Sequence, residues 1–168
     1  IEKSSPLDWD IMGTFTISSN QTQDSFNEKK TALRHLVDGI NDYIATAEHG
    51  FFVKSRLVAG SPGCGKSYIM NYALLYAISR GLRVGVTALM SKRAMVLGGI
   101  HIHQLFKLPR ATSGMNIHKI AELAYTNLLQ HPELILILRI LNILCIDKLG
   151  QFSSELLAIL DMLLAERR

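Results

Sequence analysis

Eight consecutive residues, Gly60-Ser61-Pro62-Gly63-Cys64-Gly65-Lys66-Ser67, carry three glycines, a lysine and a hydroxyl at the spacing G-x-x-x-x-G-K-[ST]. That spacing suits one kind of chemistry. The glycines let the backbone curl so that successive N–H groups point inward onto phosphate oxygens. A helix starting at the end of the loop adds its positive N-terminal end. Lys66 is then placed for the β- and γ-phosphates of ATP, and the Ser67 hydroxyl for Mg²⁺. All eight residues, Gly60 to Ser67, are therefore candidate nucleotide contacts. Cys64 has two readings: a thiol whose pKa a helix N-terminus lowers, or a small residue at a variable position. A second stretch draws attention for what it lacks. The apolar run Ile143-Leu144-Cys145-Ile146 ends in Asp147, and Lys148 follows. Enzymes that split nucleoside triphosphates often end such a strand in two acids; here the second position is basic.

Elements must hold these residues in place. From Asp24, Phe26, Leu33, Val37, Ile40 and Ile44 recur at separations of 7, 4, 3 and 4, which predicts a helix ending near Glu48-His49-Gly50. Residues 51–59 read as a strand entering the glycine-rich turn. Residues 67–81 read as a helix closed by Arg80 and Gly81. Arg83–Ala88 is a second buried strand, residues 116–140 are helical with a break at His131-Pro132, and Asn142–Ile146 is a third strand. Ser153 opens a last amphipathic helix. Strands alternating with helices predict an α/β fold, a mostly parallel sheet with helices on both faces. The division expected is a loose N-terminal arm (1–22), a helical N-terminal extension (23–50) and one domain (51–168).

Composition bounds the partners. The chain has 168 residues, 48% of them hydrophobic, enough for a domain with a real core. A net charge of +4 permits a nucleic-acid partner without demanding one. Two cysteines, Cys64 and Cys145, have no framework spacing and suit a reducing, intracellular compartment, with nucleus and mitochondrion both open. No signal peptide opens the chain, and the most apolar run, Leu134–Ile146, is broken by Arg139 and Asn142 and is too short to cross a bilayer. No membrane partner is expected. A first residue that is isoleucine and a last residue inside a helical pattern suggest a fragment.

Three blocks narrow the function. Val86–Pro109 resembles the second motif of the Pif-type superfamily-1 DNA helicases, which include the helicases of Helitron-like transposons. Thr87, Ala88, Ala94, Gly98, Gly99, Ile102, His103 and Phe106 match, while Met90, Ser91, Arg93, His101 and Gln104 depart from the pattern. The stretch around Asp147 resembles the acidic strand and following helix of the same family, through Asp147, Gly150, Ser154, Glu155, Leu156 and Leu157. With the phosphate loop, the blocks stand in family order. The resemblance implies a RecA-like P-loop NTPase domain and, in the parent protein, ATP-driven five-prime to three-prime DNA unwinding tied to DNA repair, recombination, telomere maintenance or transposition. It implies Mg²⁺ at Ser67 and Asp147, adenine at Gln23, and single-stranded DNA at Lys92, Arg93, Gly98, Gly99, His103 and Lys107.

The resemblance also sharpens the question of Lys148, which stands at the position of the family's catalytic Glu. Lys66, Asp147 and Lys148 are thus the residues on which catalysis turns. A positioned base is worth about 10²–10⁴-fold in rate, and a protonated lysine has no acceptor to replace it. The family's second motor domain would follow residue 168. The expectation is a Mg-ATP-binding domain with little or no hydrolysis. The alternatives are a non-catalytic nucleotide- or DNA-binding module or degenerate transposon relic, and an unrelated P-loop enzyme such as a small kinase. For His103 an architectural hydrogen bond is favoured over a catalytic role. The pair His101 and His103 has no Cys or acidic cluster beside it, which argues against a metal site.

Overall fold

The computed structural model describes residues 23–46, 55–90, 99–110 and 114–166. The chain divides after Leu82 into two units.

The first unit is built on two helices, α1 (Gln23–Thr46) and α2 (Lys66–Ser79). Leu33, Val37 and Ile40 form the buried seam of α1, and Ile69, Ala73 and Ala77 that of α2. The alanines keep α2 thin where the helices meet. Residues 55–59, part of the strand expected over 51–59, carry no regular structure, and residues 51–54 lie outside the described residues. A strand needs a neighbour to complete its backbone hydrogen bonds. One side chain of this segment docks on α1. The Arg56 guanidinium meets the His35 ring at 2.9 Å and Asp42 at 3.6 Å. Gly39 makes the room, since a Cβ there would lie 2.9 Å from Arg56 Nε. Arg56 thereby ties the entry of the phosphate loop to α1. At the far end of α2, Gly81 takes φ +80° and ends the helix as expected.

The second unit is α/β. Its sheet has three strands, β1 (Val84–Ala88), β2 (Ile100–His101) and β3 (Ile143–Asp147), in the order β2-β1-β3 and all parallel. The connection from β2 to β3 carries α3 (Ile102–Leu105), α4 (Ile117–Leu129) and α5 (Pro132–Ile140), and α6 (Ser154–Glu166) follows β3. Local chemistry sets the ends. Asn116 caps α4 by accepting from the Lys119 N–H at 2.8 Å. Pro132 opens α5 at the break foreseen at His131-Pro132. Ser153 accepts from the Leu156 N–H at 3.2 Å at the start of α6. The core gathers Ile102, Leu105, Phe106, Ala124, Leu128, Ile159, Leu160 and Leu163.

The register of the sheet is pinned at both ends. Where β1 and β3 begin, the Arg83 N–H donates to Asn142 Oδ1 at 2.9 Å, and the Arg83 carbonyl accepts from the N–H groups of Asn142 and Ile143. Where they end, Ala88 lies opposite Asp147 on one side and His101 on the other. Thr87, fully buried, donates its hydroxyl to the Ile100 carbonyl at 2.7 Å and locks β2 onto β1. Gly85 and Gly99 allow close approach: a Cβ on Gly85 would meet Leu141 at 2.7 Å, and one on Gly99 would sit 2.1 Å from the Val86 carbonyl oxygen.

Candidate functional site

The phosphate-loop sequence folds as a turn running into α2. Gly63 and Gly65 take φ +77° and +87°, the left-handed region open to glycine. The Cys64 N–H donates to the Ser61 carbonyl at 3.3 Å, and the Ile69 N–H reaches the Gly65 carbonyl at 3.1 Å as the helix begins. Gly65 is the N-cap and offers no side-chain cap to the first turn of α2, an N-terminus whose dipole favours an anion. Gly60 is crowded, since a Cβ there would stand 2.8 Å from Cys64 Sγ. The Lys66 ammonium folds back across the loop. It donates to the carbonyls of Gly60 and Ser61 at 2.7 Å each and lies 3.6 Å from Cys64 Sγ. Gly60, Ser61, Cys64, Gly65 and Lys66 are thus one cluster. Ser61, Pro62 and Gly63 are exposed at the tip, and Ser67 is half-buried in the first turn of α2.

The second candidate group lies in the other unit, at the C-terminal ends of the parallel strands, where α/β sheets commonly place ligands. Asp147 ends β3 and is only 8% exposed. Lys148 leaves the strand at φ +60°, ψ +40°, an uncommon conformation for a side chain with a Cβ, and is exposed. Its carbonyl accepts from the Gln151 N–H in the short 3₁₀ turn Leu149–Gln151. Two residues back, burial and then the Asp147 charge push the Cys145 thiol up to about 12, so it stays protonated at neutral pH.

The residues assigned to single-stranded DNA have varied positions. Lys92, Arg93 and Gly98 lie outside the described residues. Gly99 is packed against β1, so its lack of a side chain serves the sheet whatever else it touches. Lys107 takes φ +50°, its carbonyl accepts from Asn127 Nδ2 at 3.3 Å, and its charge helps hold the Glu133 carboxyl below its usual range, after hydrogen bonds to the Glu133 backbone and His131. An architectural hydrogen bond was anticipated for His103; its N–H donates to His101 Nδ1 at 3.2 Å, so the His101 side chain caps α3. Partial burial, then the neighbouring His101, lowers the pKa of His103. Gln23 opens α1 and donates to Asn27 one turn along at 3.2 Å. Among the described residues no three His, Cys, Asp or Glu side chains gather as metal ligands. A hard cation held by Ser67 or Asp147 would therefore draw its other ligands from phosphate oxygens and water, as Mg²⁺ commonly does.

Sequence reading missed Lys29. It projects from α1 to the phosphate loop, where a Cβ on Gly65 would lie 3.1 Å from Lys29 Cε and 3.3 Å from its Nζ. The signal was the gap of seven between Phe26 and Leu33 in the apolar pattern. Arg56 was missed as well, because nothing in its local sequence foretells a contact with residues 35 and 42.

Compared with known proteins, the chain matches no family model, no curated protein and no solved structure.

Proposed function

We propose that this chain binds Mg-ATP through its phosphate loop, as the first RecA-like motor domain of a Pif-type DNA helicase. The observation that carries the reading is the loop itself. A complete G-x-x-x-x-G-K-[ST] sequence adopts left-handed glycines at residues 63 and 65, an uncapped helix start and an ammonium folded over the loop. Incoming phosphate oxygens would take Lys66 from the carbonyls of Gly60 and Ser61 and accept from the N–H groups of the loop and first helical turn. Mg²⁺ would supply charge neutralisation of the phosphates when bound, with Ser67 the residue of the loop that would hold it. Single-stranded DNA is the proposed partner, along the segment from Lys92 to Lys107. No helix of the described residues is long and apolar enough to cross a membrane.

Hydrolysis is the step this copy performs poorly. Lys148 offers no acceptor to orient or deprotonate water, and it is exposed in a left-handed conformation at the strand end. The same residue favours a second reading, a non-catalytic nucleotide-binding module. Phosphate release from Mg-ATP with single-stranded DNA, measured on the chain and on Lys148→Glu, separates the two. Turnover gained by Lys148→Glu supports an assembled helicase site lacking one carboxylate. Binding without turnover in both proteins supports the module. Rapid turnover by the unmodified chain overturns the role given to Lys148.

A further inference from the structure

We propose that Lys29 is a second phosphate-holding cation of the nucleotide site, delivered to the phosphate loop by α1. The inference rests on the phosphate-loop reading above and adds a residue that the loop motif does not contain. It begins from position. Lys29, Leu33, Val37 and Ile40 follow one another on α1 at intervals of 4, 4 and 3, so they share one face. The last three are the buried residues of that helix. Lys29 therefore occupies a place in the apolar seam where a leucine would pack without cost. Instead it carries a charge on a half-buried side chain, which is unfavourable to desolvate without a partner.

Among the described residues no carboxylate pairs with Lys29. Its end lies against Gly65, with Nζ 3.3 Å from the point a Cβ would occupy. Gly65 caps the N-terminus of α2. Lys29 thus joins Lys66 and the positive end of a helix, three groups of one sign at one loop. Lys66 relieves its own charge on the carbonyls of Gly60 and Ser61. Among the described residues no carbonyl accepts from Lys29. A polyphosphate is the chemistry that satisfies all three, because its oxygens accept from both ammonium groups and from the helix N–H groups. Arg56 adds the means of holding the geometry, since it fastens the loop's entry to the same helix that carries Lys29.

The test measures Mg-ATP affinity by calorimetry for the unmodified chain, Lys29→Met, Lys29→Arg and, as a control, Arg34→Gln, an exposed position on the same helix. Thermal unfolding is recorded for each without nucleotide. Lys29→Met should weaken ATP binding about tenfold, as expected for one charged hydrogen bond. Lys29→Arg should stay within about threefold, and Arg34→Gln should be unchanged. The melting temperature of Lys29→Met should equal or exceed that of the unmodified chain, because the seam becomes wholly apolar. A purely packing role gives the opposite pattern, lower stability with ATP affinity intact, and overturns the proposal. Unaltered ATP affinity in Lys29→Met, with the unmodified chain binding well, overturns it while leaving the phosphate-loop reading standing. Absence of ATP binding by the unmodified chain overturns both.

Discussion

The phosphate loop and the sheet end use the same residue, glycine, for two different physical reasons. In the loop, a Cβ on Gly63 would meet nothing within 4 Å among the described residues beyond its chain neighbours, and the glycine is needed for its φ of +77°. In the sheet, Gly99 needs space, since a Cβ would press to 2.1 Å from the Val86 carbonyl. Gly65 does both, with φ +87° and Lys29 alongside. One region is thus shaped by what the backbone can do locally, the other by how closely distant segments approach. The lesson concerns where a substitution will be felt. A loop change alters ligand binding at modest cost to folding; a sheet change alters folding first.

The largest effect should therefore come from Gly99→Ala. Overpacking against a backbone carbonyl has no flexible side chain to yield, so a loss of about 3 kcal/mol is expected, read by urea unfolding. A loss below about 1 kcal/mol would break the comparison. Gly65→Ala comes next, at about 2 kcal/mol from left-handed strain and the displaced Lys29, together with loss of ATP binding. Gly63→Ala sharpens the point, since strain alone should give about 1 kcal/mol. Lys148→Gly should run the other way and stabilise by about 0.5–1 kcal/mol, relieving a left-handed residue that has a Cβ. No gain would mean that the Lys148 side chain makes a contact that compensates.

The smallest effect is a pH dependence at the sheet end. The His103 pKa is lowered in the folded chain, by burial and then by His101, so the unfolded chain binds the proton more readily. Stability is then full above the ordinary histidine range, near 6.5, and falls as pH drops through that unfolded value. His103→Gln should flatten this part of the stability–pH curve, followed by chemical denaturation between pH 7 and pH 5.

What could be read from sequence followed the same division. The glycine-rich turn running into a helix, the exit at Gly81, the break at His131-Pro132 and the helix start at Ser153 are local chemistry, and residue type and spacing gave them directly. β1 and β3 were legible as buried apolar runs. The strand expected over residues 51–59 was not found at 55–59, because an apolar run states a propensity while a strand requires a neighbour. Lys29 and Arg56 were hidden for a related reason. Their roles depend on contacts across 36 and 21 or fewer residues of chain, Lys29 to Gly65 and Arg56 to His35. The cap that His101 gives α3 was not legible, because alternation along the chain does not say which ring turns back onto the next helix.

The account's central claim is that the loop from Gly60 to Ser67 is a working phosphate site, and its most direct test is a calorimetric titration of Mg-ATP into the unmodified chain and into Lys66→Ala. Saturable binding to the chain, weakened at least about a hundredfold in Lys66→Ala by loss of a charged phosphate contact, is the result predicted. No binding to the folded chain, or equal binding to both proteins, would contradict it.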